Sequence, residues 1–248
     1  MSGKIYQAKH LVKYYECDTT KKMTLPMLVN IMVHTSGEQS HLLGVSDEVV
    51  NERGLSWIIL QYEMKFNRIP EFAEEITITT QAISYNKLFC YREFKVYGAD
   101  GKECATAMTT FALIDTEKRK MSRIPDDLVE PYEAPFDKKL VRTPKPEKVG
   151  EDASSTEYRV RFLDIDRNQH VNNSKYFEWA IDALEYDFLI QYEFDAVNIK
   201  FEKEVHYGNM ISSEFSRTEL EDGKVLTAHR IRTDETVNCE LSVVWRKR

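Results

Sequence analysis

Three polar residues of different chemical types alternate along one short segment of this 248-residue chain. Asp166 carries a carboxylate, Asn168 a carboxamide and His170 an imidazole. In an extended segment, residues i, i+2 and i+4 point to the same face, so the spacing predicts that the three side chains converge. A carboxylate and an imidazole can exchange protons with water, and an amide can orient a carbonyl group. The segment is therefore a candidate for acid–base chemistry on a carbonyl compound.

A predicted helix begins directly after this segment. Asn172 or Asn173 can cap it, and the unpaired N–H groups and positive dipole end of a helix can hold a developing oxyanion. A simpler interpretation stays open, because Asp and Asn before a helix are often only turn and cap residues, and His170 can be a structural histidine. No second His or Cys follows at ligand spacing on the same element, so no metal site is predicted.

The elements around this segment have counterparts in the first half of the chain. Thr24 can cap a helix that has Pro26 in its first turn. Strand-like segments then follow each helix, and residues 59–66 resemble residues 198–205. Each half also contains a hairpin signal, Asp100-Gly101 or Asp222-Gly223. The same order of elements in both halves favours an internal duplication over two unrelated α+β segments.

The helices and the last strand have patterns that predict their buried faces. In the last strand Asn238 alternates with apolar residues, which predicts that it lies on the outer face. Apolar periodicity gives the first helix a face of Leu28, Ile31, Met32 and Thr35, and the second a face of Tyr176, Ala180, Ala183 and Leu184. A helix with one apolar face needs a curved sheet to cover it. The sequence therefore predicts an α+β tandem (double) hot-dog fold, in which an antiparallel β-sheet wraps around each of two central helices.

Proline marks the boundary between the halves. Five of the seven prolines fall between residues 125 and 146, and proline disfavours both helix interiors and central strands. From residue 125 onward this stretch is predicted to be an extended crossing linker. The predicted division is an N-terminal hot-dog over residues 1–130, a linker over residues 131–155 and a C-terminal hot-dog over residues 156–248.

Composition and charge exclude several classes of protein. The formal net charge of −7 argues against a general nucleic-acid binder, and 25 Phe plus Tyr residues argue against a disordered chain. No apolar run reaches the ~18 residues of a membrane span, and the first residues have no secretory leader. The four cysteines form no C-x-x-C pair, which predicts reduced thiols. These features predict a cytoplasmic protein.

The segment from Asp166 to Tyr176 resembles the D-x-N-x-H-V-N-N-x-K-Y motif of plant and bacterial acyl-acyl carrier protein (acyl-ACP) thioesterases. Residues 54–60 resemble that family's first-half strand, and residues 201–204 resemble its second-half E-Y-R-R-E-C segment. The order and spacing of these matches cover nearly the whole chain. The resemblance implies four active-site residues, namely Asp166, Asn168, His170 and Glu204, and the lack of a signal or transit peptide favours a bacterial member. Where several plant members have a cysteine after the glutamate, this chain has Val205, so a thiol nucleophile is not expected.

The internal repeat predicts one active site per chain. Alignment of the helices places Thr19, Lys21 and Met23 opposite Asp166, Asn168 and His170, and alignment of the strands places Lys65 opposite Glu204. None of the catalytic residue types is kept in that alignment. The resemblance implies that the first half instead holds the acyl chain. The expected walls are Met27, Leu28, Ile31, Met32 and Trp57, although apolar residues at helical spacing often only fill a core.

The resemblance implies hydrolysis of fatty acyl-ACP to free fatty acid and holo-ACP, by water that Glu204 or Asp166 activates, with no cofactor. An acyl-CoA thioesterase, a hot-dog dehydratase and a non-catalytic acyl-binding module remain alternatives. The expected partner is acyl carrier protein, which is acidic and needs a basic surface. Candidate surfaces are Lys118, Arg119, Lys120 and Arg123, or the linker residues Lys138, Lys139, Arg142, Lys145 and Lys148. A monomer or weak homodimer is expected.

Overall fold

A computed structural model of the chain describes residues 3–166 and 169–248. The first half contains strands β1 (Ile5–Leu11), β2 (Leu55–Phe66), β3 (Glu75–Tyr85), β4 (Phe89–Tyr97), β5 (Glu103–Asp115) and β6 (Lys120–Ser122), with helices α1 (Leu25–Leu42), α2 (Asp47–Asn51) and α3 (Asp126–Val129). The second half contains strands β7 (Ser154–Arg159), β8 (Tyr192–Phe201), β9 (Met210–Glu219), β10 (Val225–Thr233) and β11 (Thr236–Lys247), with helices α4 (Asn173–Asp182) and α5 (Tyr186–Gln191).

These strands form one antiparallel sheet in the described residues, in the order β1-β3-β4-β5-β2-β8-β11-β10-β9-β7, with β6 on β5. The two halves of this order mirror each other. They join where β2 pairs with β8, with Tyr62 opposite Ile199. The two segments that resemble each other in sequence, 59–66 and 198–205, therefore meet at the centre of the sheet, where residues 61–63 pair with residues 198–200.

Each long helix packs its apolar face on this sheet. Leu28 and Met32 of α1 and Phe177 and Ala180 of α4 are fully buried, and all four belong to one core that extends across both halves. Phe177 contacts the Tyr62 ring of β2 across the junction, with ring centroids 6.3 Å apart. One shared core therefore joins two helix-and-sheet units, which is the predicted α+β double hot-dog architecture. Because the sheet is continuous, the proposed domain boundaries stay a prediction.

The proline-rich stretch differs in part from its prediction. Residues 126–132 form short helical turns instead of an extended segment, because Pro125 and Pro131 occupy positions before or at the start of a turn, where no backbone N–H is needed. The chain then crosses the sheet without regular structure. There Pro144 accepts hydrogen bonds from Gln61 of β2 and Asn198 of β8, so the linker covers the junction between the halves.

Candidate active site

The segment that carries Asp166 and His170 is a closed loop. The Asp166 N–H donates to the His170 carbonyl oxygen at 2.9 Å, and the Gln169 N–H donates back to the Asp166 carbonyl oxygen at 3.0 Å. Gln169 has a left-handed backbone with φ of 66°. The prediction of an extended segment is therefore wrong at this point, because the loop and not strand alternation brings Asp166 near His170. Asn168 lies outside the described residues.

Buried contacts fix both ends of this loop. Before it, the side chain of Asp164 is fully buried, accepts the Arg161 N–H at 2.8 Å and pairs with the Arg161 guanidinium. After it, Asn172 caps α4 and its side chain accepts the Ser174 N–H at 2.9 Å, as the sequence predicts. The Val171 N–H donates to the Val205 carbonyl oxygen at 3.2 Å. That last bond ties the loop to the segment that carries Glu204.

Glu204 lies just beyond β8, on a segment that β11 holds in place. The Asn238 side-chain amide donates to the Glu204 carbonyl oxygen at 3.2 Å, and the Asn238 carbonyl oxygen accepts the Glu202 N–H at 2.8 Å. Asn238 is buried, with 2% of its surface exposed. Asn238 is therefore not exposed on the outer face, because strand alternation does not anticipate the segment of Glu204 that folds over that face.

His170 and Glu204 face each other, and a third residue shares the carboxylate. His170 Nδ1 lies 3.4 Å from Glu204 Oε2, and the Arg119 guanidinium forms an ion pair with the same oxygen. Nδ1 is enclosed but makes no hydrogen bond of good geometry with any described residue. A small rotation of the carboxylate would complete that bond. The sequence predicts Arg119 only as one of the basic docking candidates, because no sequence signal places it against a residue 85 positions away.

The charges around His170 favour its neutral form. Burial lowers the pKa of His170 below its ordinary value of 6.5, and the positive charge of Arg119 and the nearby His206 lower that pKa further. Asp166 acts in the opposite direction. A neutral imidazole at neutral pH can accept a proton, so the surroundings suit His170 for general-base work.

His206 adds a second imidazole that the sequence did not predict at this site. Its ring centroid lies 5.4 Å from that of His170. Ligand atoms of His170, Glu204 and His206 all lie within 4.8 Å of one another, a spacing that a small metal ion could approach. The guanidinium of Arg119 at the same carboxylate opposes the binding of a cation there, because like charges repel.

Equivalent hydrogen bonds recur in the first half, one residue away from the predicted alignment. The Asp18 N–H donates to the Lys22 carbonyl oxygen at 2.9 Å, as the Asp166 N–H does to His170, and Lys21 shares the left-handed backbone of Gln169. Asp18 is therefore the counterpart of Asp166, and the prediction that no catalytic residue type is kept there is wrong. His170 and Glu204 correspond to Lys22 and Ile69, since Met23 bonds Pro70 as Val171 bonds Val205. Ile69 has no titratable group and Lys22 pairs with Glu193, so the imidazole–carboxylate pair is not repeated in the first half.

The His170–Glu204 pair opens onto a cavity of about 1080 Å³ that extends into the first half. Trp57 lines this cavity. Leu28 and Met32 lie in the hydrophobic core, and Met27 and Ile31 pack against that core. The adjacent face of α1 supplies lining instead, through Val29, Val33, Ser36, Gly37 and Ser40. The role of the five predicted wall residues in substrate binding stays a prediction.

In the described part of the chain, no helix is both long enough and apolar enough to cross a bilayer.

Comparisons with known proteins give a consistent result. A family model described as the acyl-ACP thioesterase N-terminal domain matches residues 3–132, and one described as the C-terminal domain matches residues 147–247. A crystal structure described as an oleoyl thioesterase from Lactobacillus plantarum is 35% identical, covers 99% of this chain and 97% of its own, and has a TM-score of 0.95. The structure of a 12:0-ACP thioesterase from Umbellularia californica has a TM-score of 0.87 at 17% identity, and covers 98% of this chain and 94% of its own. These likenesses confirm the predicted fold.

Curated plant proteins match over most of this chain but are longer. An oleoyl-acyl carrier protein thioesterase of Coriandrum sativum is 22% identical over 90% of this chain. The chain spans 65% of that protein's length and 55% of the length of an acyl-[acyl-carrier-protein] hydrolase from Cuphea viscosissima, which is 22% identical over 85% of this chain.

Proposed function

Because the chain belongs to the acyl-ACP thioesterase family, we propose that it hydrolyses fatty acyl-ACP to free fatty acid and holo-ACP. The observation that carries this proposal is the opening of the His170–Glu204 pair onto the large cavity, whose walls include Val29, Val33 and Trp57. A thioester with a long apolar chain fits this site. Its reacting carbonyl would lie beside the His170–Glu204 pair, and its hydrocarbon chain would pack against the apolar walls of the cavity. Such a cavity lies at the upper end of the ~300–1,000 Å³ range of small-molecule sites.

In the proposed reaction, His170 activates water and Glu204 acts through His170. A bond from His170 Nδ1–H to the Glu204 carboxylate would fix the tautomer and leave Nε2 free to accept a proton. The water oxygen attacks the thioester carbonyl carbon as its proton passes to Nε2. Collapse of the tetrahedral intermediate breaks the C–S bond, and the proton returns from the imidazolium to the leaving sulfur. The products are a carboxylic acid and a thiol.

The start of α4 is the proposed site for the oxyanion. Asn173 and Ser174 of its first turn line the cavity beside His170, and the proposed donor is the Asn173 N–H because the Asn172 side chain already accepts the Ser174 N–H. Backbone N–H groups at a helix N-terminus stabilise developing negative charge without reorganisation, which is the usual source of oxyanion stabilisation in acyl transfer. Asn168, which the resemblance implies, remains a proposed partner for the carbonyl group.

A cysteine nucleophile fits this chain poorly. Val205 occupies the position where several plant members have cysteine, and its side chain is buried. Cys90 does line the cavity, but burial raises the pKa of its thiol to about 12. A thiol with such a pKa carries almost no thiolate at neutral pH, and the thiolate is the reactive form. Water is therefore the proposed nucleophile.

The proposed function is tested with acyl-ACPs from C8 to C18 and the matching acyl-CoAs. DTNB reports the free thiol that hydrolysis releases, so turnover of acyl-ACP with thiol release supports the proposal. Preferred turnover of acyl-CoA would assign an acyl-CoA thioesterase instead. Loss of water from a 3-hydroxyacyl substrate without thiol release would assign a dehydratase, and tight binding without turnover would assign an acyl-binding module.

A pH prediction follows from the charge of Arg119. If neutral His170 accepts the proton, kcat/KM falls as the pH drops through the pKa of His170. The cation at Arg119 disfavours the imidazolium and lowers that pKa, so Arg119→Met is expected to raise it and to move the acid limb of the kcat/KM profile to higher pH. Arg53→Met removes a cation that pairs with Asp127 and is the control. An acid limb that stays in place or moves to lower pH in Arg119→Met contradicts this role of His170.

The turn that carries Arg119 is also the proposed docking surface for the acidic carrier. Lys118, Lys120 and Arg123 lie on the same β5–β6 hairpin whose Arg119 reaches Glu204, so a carrier bound there lies beside the active site. The linker lysines instead belong to the segment that crosses the sheet near Tyr91 and Gln61. The hairpin is therefore the better placed of the two basic clusters.

Charge reversal tests the docking surface. The pair Lys120→Glu and Arg123→Glu is expected to lower kcat/KM for acyl-ACP about tenfold at low salt, because steering by charge accelerates encounter by ~10-fold or more. Added salt should lower wild-type kcat/KM and have less effect on the variant. Acyl-pantetheine, which lacks the carrier, should react equally with both. If Lys138→Glu and Lys139→Glu reduce the rate instead, the linker is the docking surface and the hairpin proposal fails.

We propose in addition that the chain acts as a monomer or weak homodimer. The pairing of β2 with β8 already joins two hot-dog units within one chain. Light scattering across a range of protein concentrations measures the assembly state.

A further inference from the structure

One buried cation lines the cavity in the first half of the chain. Arg92 lies on β4, and only 8% of its surface is exposed. Its Nη1 donates to Gln39 Oε1 of α1 at 2.6 Å and to Thr80 Oγ1 of β3 at 2.8 Å. The guanidinium also lies 5.0 Å from the centroid of the Tyr132 ring. These contacts fix the side chain between the sheet and α1, on the face where the cavity lies.

The charge of Arg92 is not balanced by a carboxylate within ion-pair distance anywhere in residues 3–166 and 169–248. Burial lowers the pKa of Arg92, yet a guanidinium stays charged at neutral pH. Nη1 makes these two hydrogen bonds and the guanidinium also hydrogen-bonds Tyr132, so two of its five N–H donors remain for another acceptor. A buried cation is costly unless its donors are met, so these donors favour an acceptor atom in the cavity.

The residues next to Arg92 make this part of the cavity polar. Tyr132 hydrogen-bonds Ser40 at 2.6 Å, and Ser36, Ser40 and Tyr132 line the cavity together with Arg92. We name Arg92, Ser36, Ser40 and Tyr132 the polar end. A hydrocarbon chain forms no hydrogen bonds with a guanidinium, two hydroxyl groups and a phenol, so these groups are unusual in a wall that contacts only hydrocarbon.

The polar end lies well away from His170 and Glu204. Arg92 lies on β4, and Glu204 follows β8. In the sheet order β4-β5-β2-β8 these two strands are three steps apart, which is about 14 Å at ~4.8 Å per step. An acyl chain that enters past Glu204 therefore approaches the polar end with its distal carbons.

We propose that the polar end binds an oxygen atom near the distal end of the acyl chain, so that the preferred substrates are oxygenated fatty acyl thioesters. This inference rests on the proposed function. A hydroxyl or carboxylate oxygen accepts from the unused guanidinium donors, whereas a methyl group leaves them unpaired. Sites that hydrogen-bond a substrate oxygen discriminate strongly against analogues that lack it.

The test compares acyl-ACPs of equal length that end in a methyl group, an ω-hydroxyl group or an ω-carboxylate. For at least one length we expect wild-type kcat/KM to be about tenfold or more higher for an oxygenated chain, since one hydrogen bond to a charged group supports a difference of this size. The hydroxyl and carboxylate arms then identify which oxygen is preferred. Equal or faster turnover of the methyl-ended chains at every length overturns the inference, and it does so without any variant.

Two variants assign the preference to Arg92. Arg92→Met keeps a long side chain and removes the donors, so it should abolish the preference. Arg92→Lys keeps a cation and should retain part of it. If folded Arg92→Met, checked by circular dichroism, keeps the wild-type ratio of oxygenated to plain kcat/KM, the assignment is wrong.

The failure of this inference can be told apart from the failure of the proposed function. If wild type hydrolyses no acyl-ACP, the proposed function fails, and quenching of tryptophan fluorescence then compares the binding of free ω-hydroxy and plain fatty acids, since Trp57 lines the cavity. Tighter binding of the hydroxy acid supports the polar end, and equal or weaker binding overturns it.

Discussion

Replacement of Glu204 by Gln or of His170 by Ala is expected to lower kcat for acyl-ACP hydrolysis by about 10²–10⁴-fold, the usual contribution of general acid–base catalysis. Gln keeps the size of the Glu204 side chain but loses the charge that would hold the Nδ1–H of His170. Ala at position 170 removes the proposed proton acceptor. Because the two side chains lie 3.4 Å apart and act as a unit, the double variant should lose little more than the worse single variant.

Initial rates with saturating acyl-ACP measure this effect, and Glu157→Gln is the matched control because Glu157 is an exposed carboxylate on β7. Asp166→Ala completes the series, since Asp166 lines the cavity beside His170. Near-wild-type rates for the Asp166, His170 and Glu204 variants together would remove the site assignment. Multiplicative losses in the double variant would instead contradict the coupling of His170 and Glu204.

Local features of the fold were accessible from the sequence. The cap at Asn172 depends only on its neighbour Ser174, and Gly101 and Gly223 have the positive φ values that their turns predict. The structure also has the repeated order of elements that the sequence predicts, because burial of one helix face and alternation along strands are short-range patterns. These patterns were enough to predict the tandem hot-dog fold.

The parts that sequence reasoning missed depend on tertiary contacts. Arg119 reaches Glu204 only because β5, β2 and β8 are neighbours in one sheet, and no local pattern encodes that approach. The alignment of the repeats was off by one residue at Asp18, since periodicity does not fix the register of a loop. Asn238 is buried although it alternates with apolar residues, because the strand pattern contains no information about the segment of Glu204 that packs over it.

The shared core predicts the largest effect on stability. Phe177 is fully buried on α4 and contacts Tyr62 of β2, so its ring lies where the two halves meet. Phe177→Ala is expected to lower the free energy of unfolding by about 3–5 kcal/mol, because the change removes buried contacts and leaves a cavity. A loss of this size at the junction should weaken both halves together, since one hydrophobic core connects them.

Urea denaturation followed by tryptophan fluorescence and by circular dichroism measures this change, because Trp179 and Trp245 both lie in the shared core. Phe162→Ala removes a ring that is 79% exposed, and as the matched control it should change the free energy of unfolding by no more than about 0.5 kcal/mol. A single transition that moves to lower urea in Phe177→Ala supports cooperative unfolding of the two halves. Two separate transitions, only one of them sensitive to Phe177, would mean that the halves unfold independently in spite of their common core.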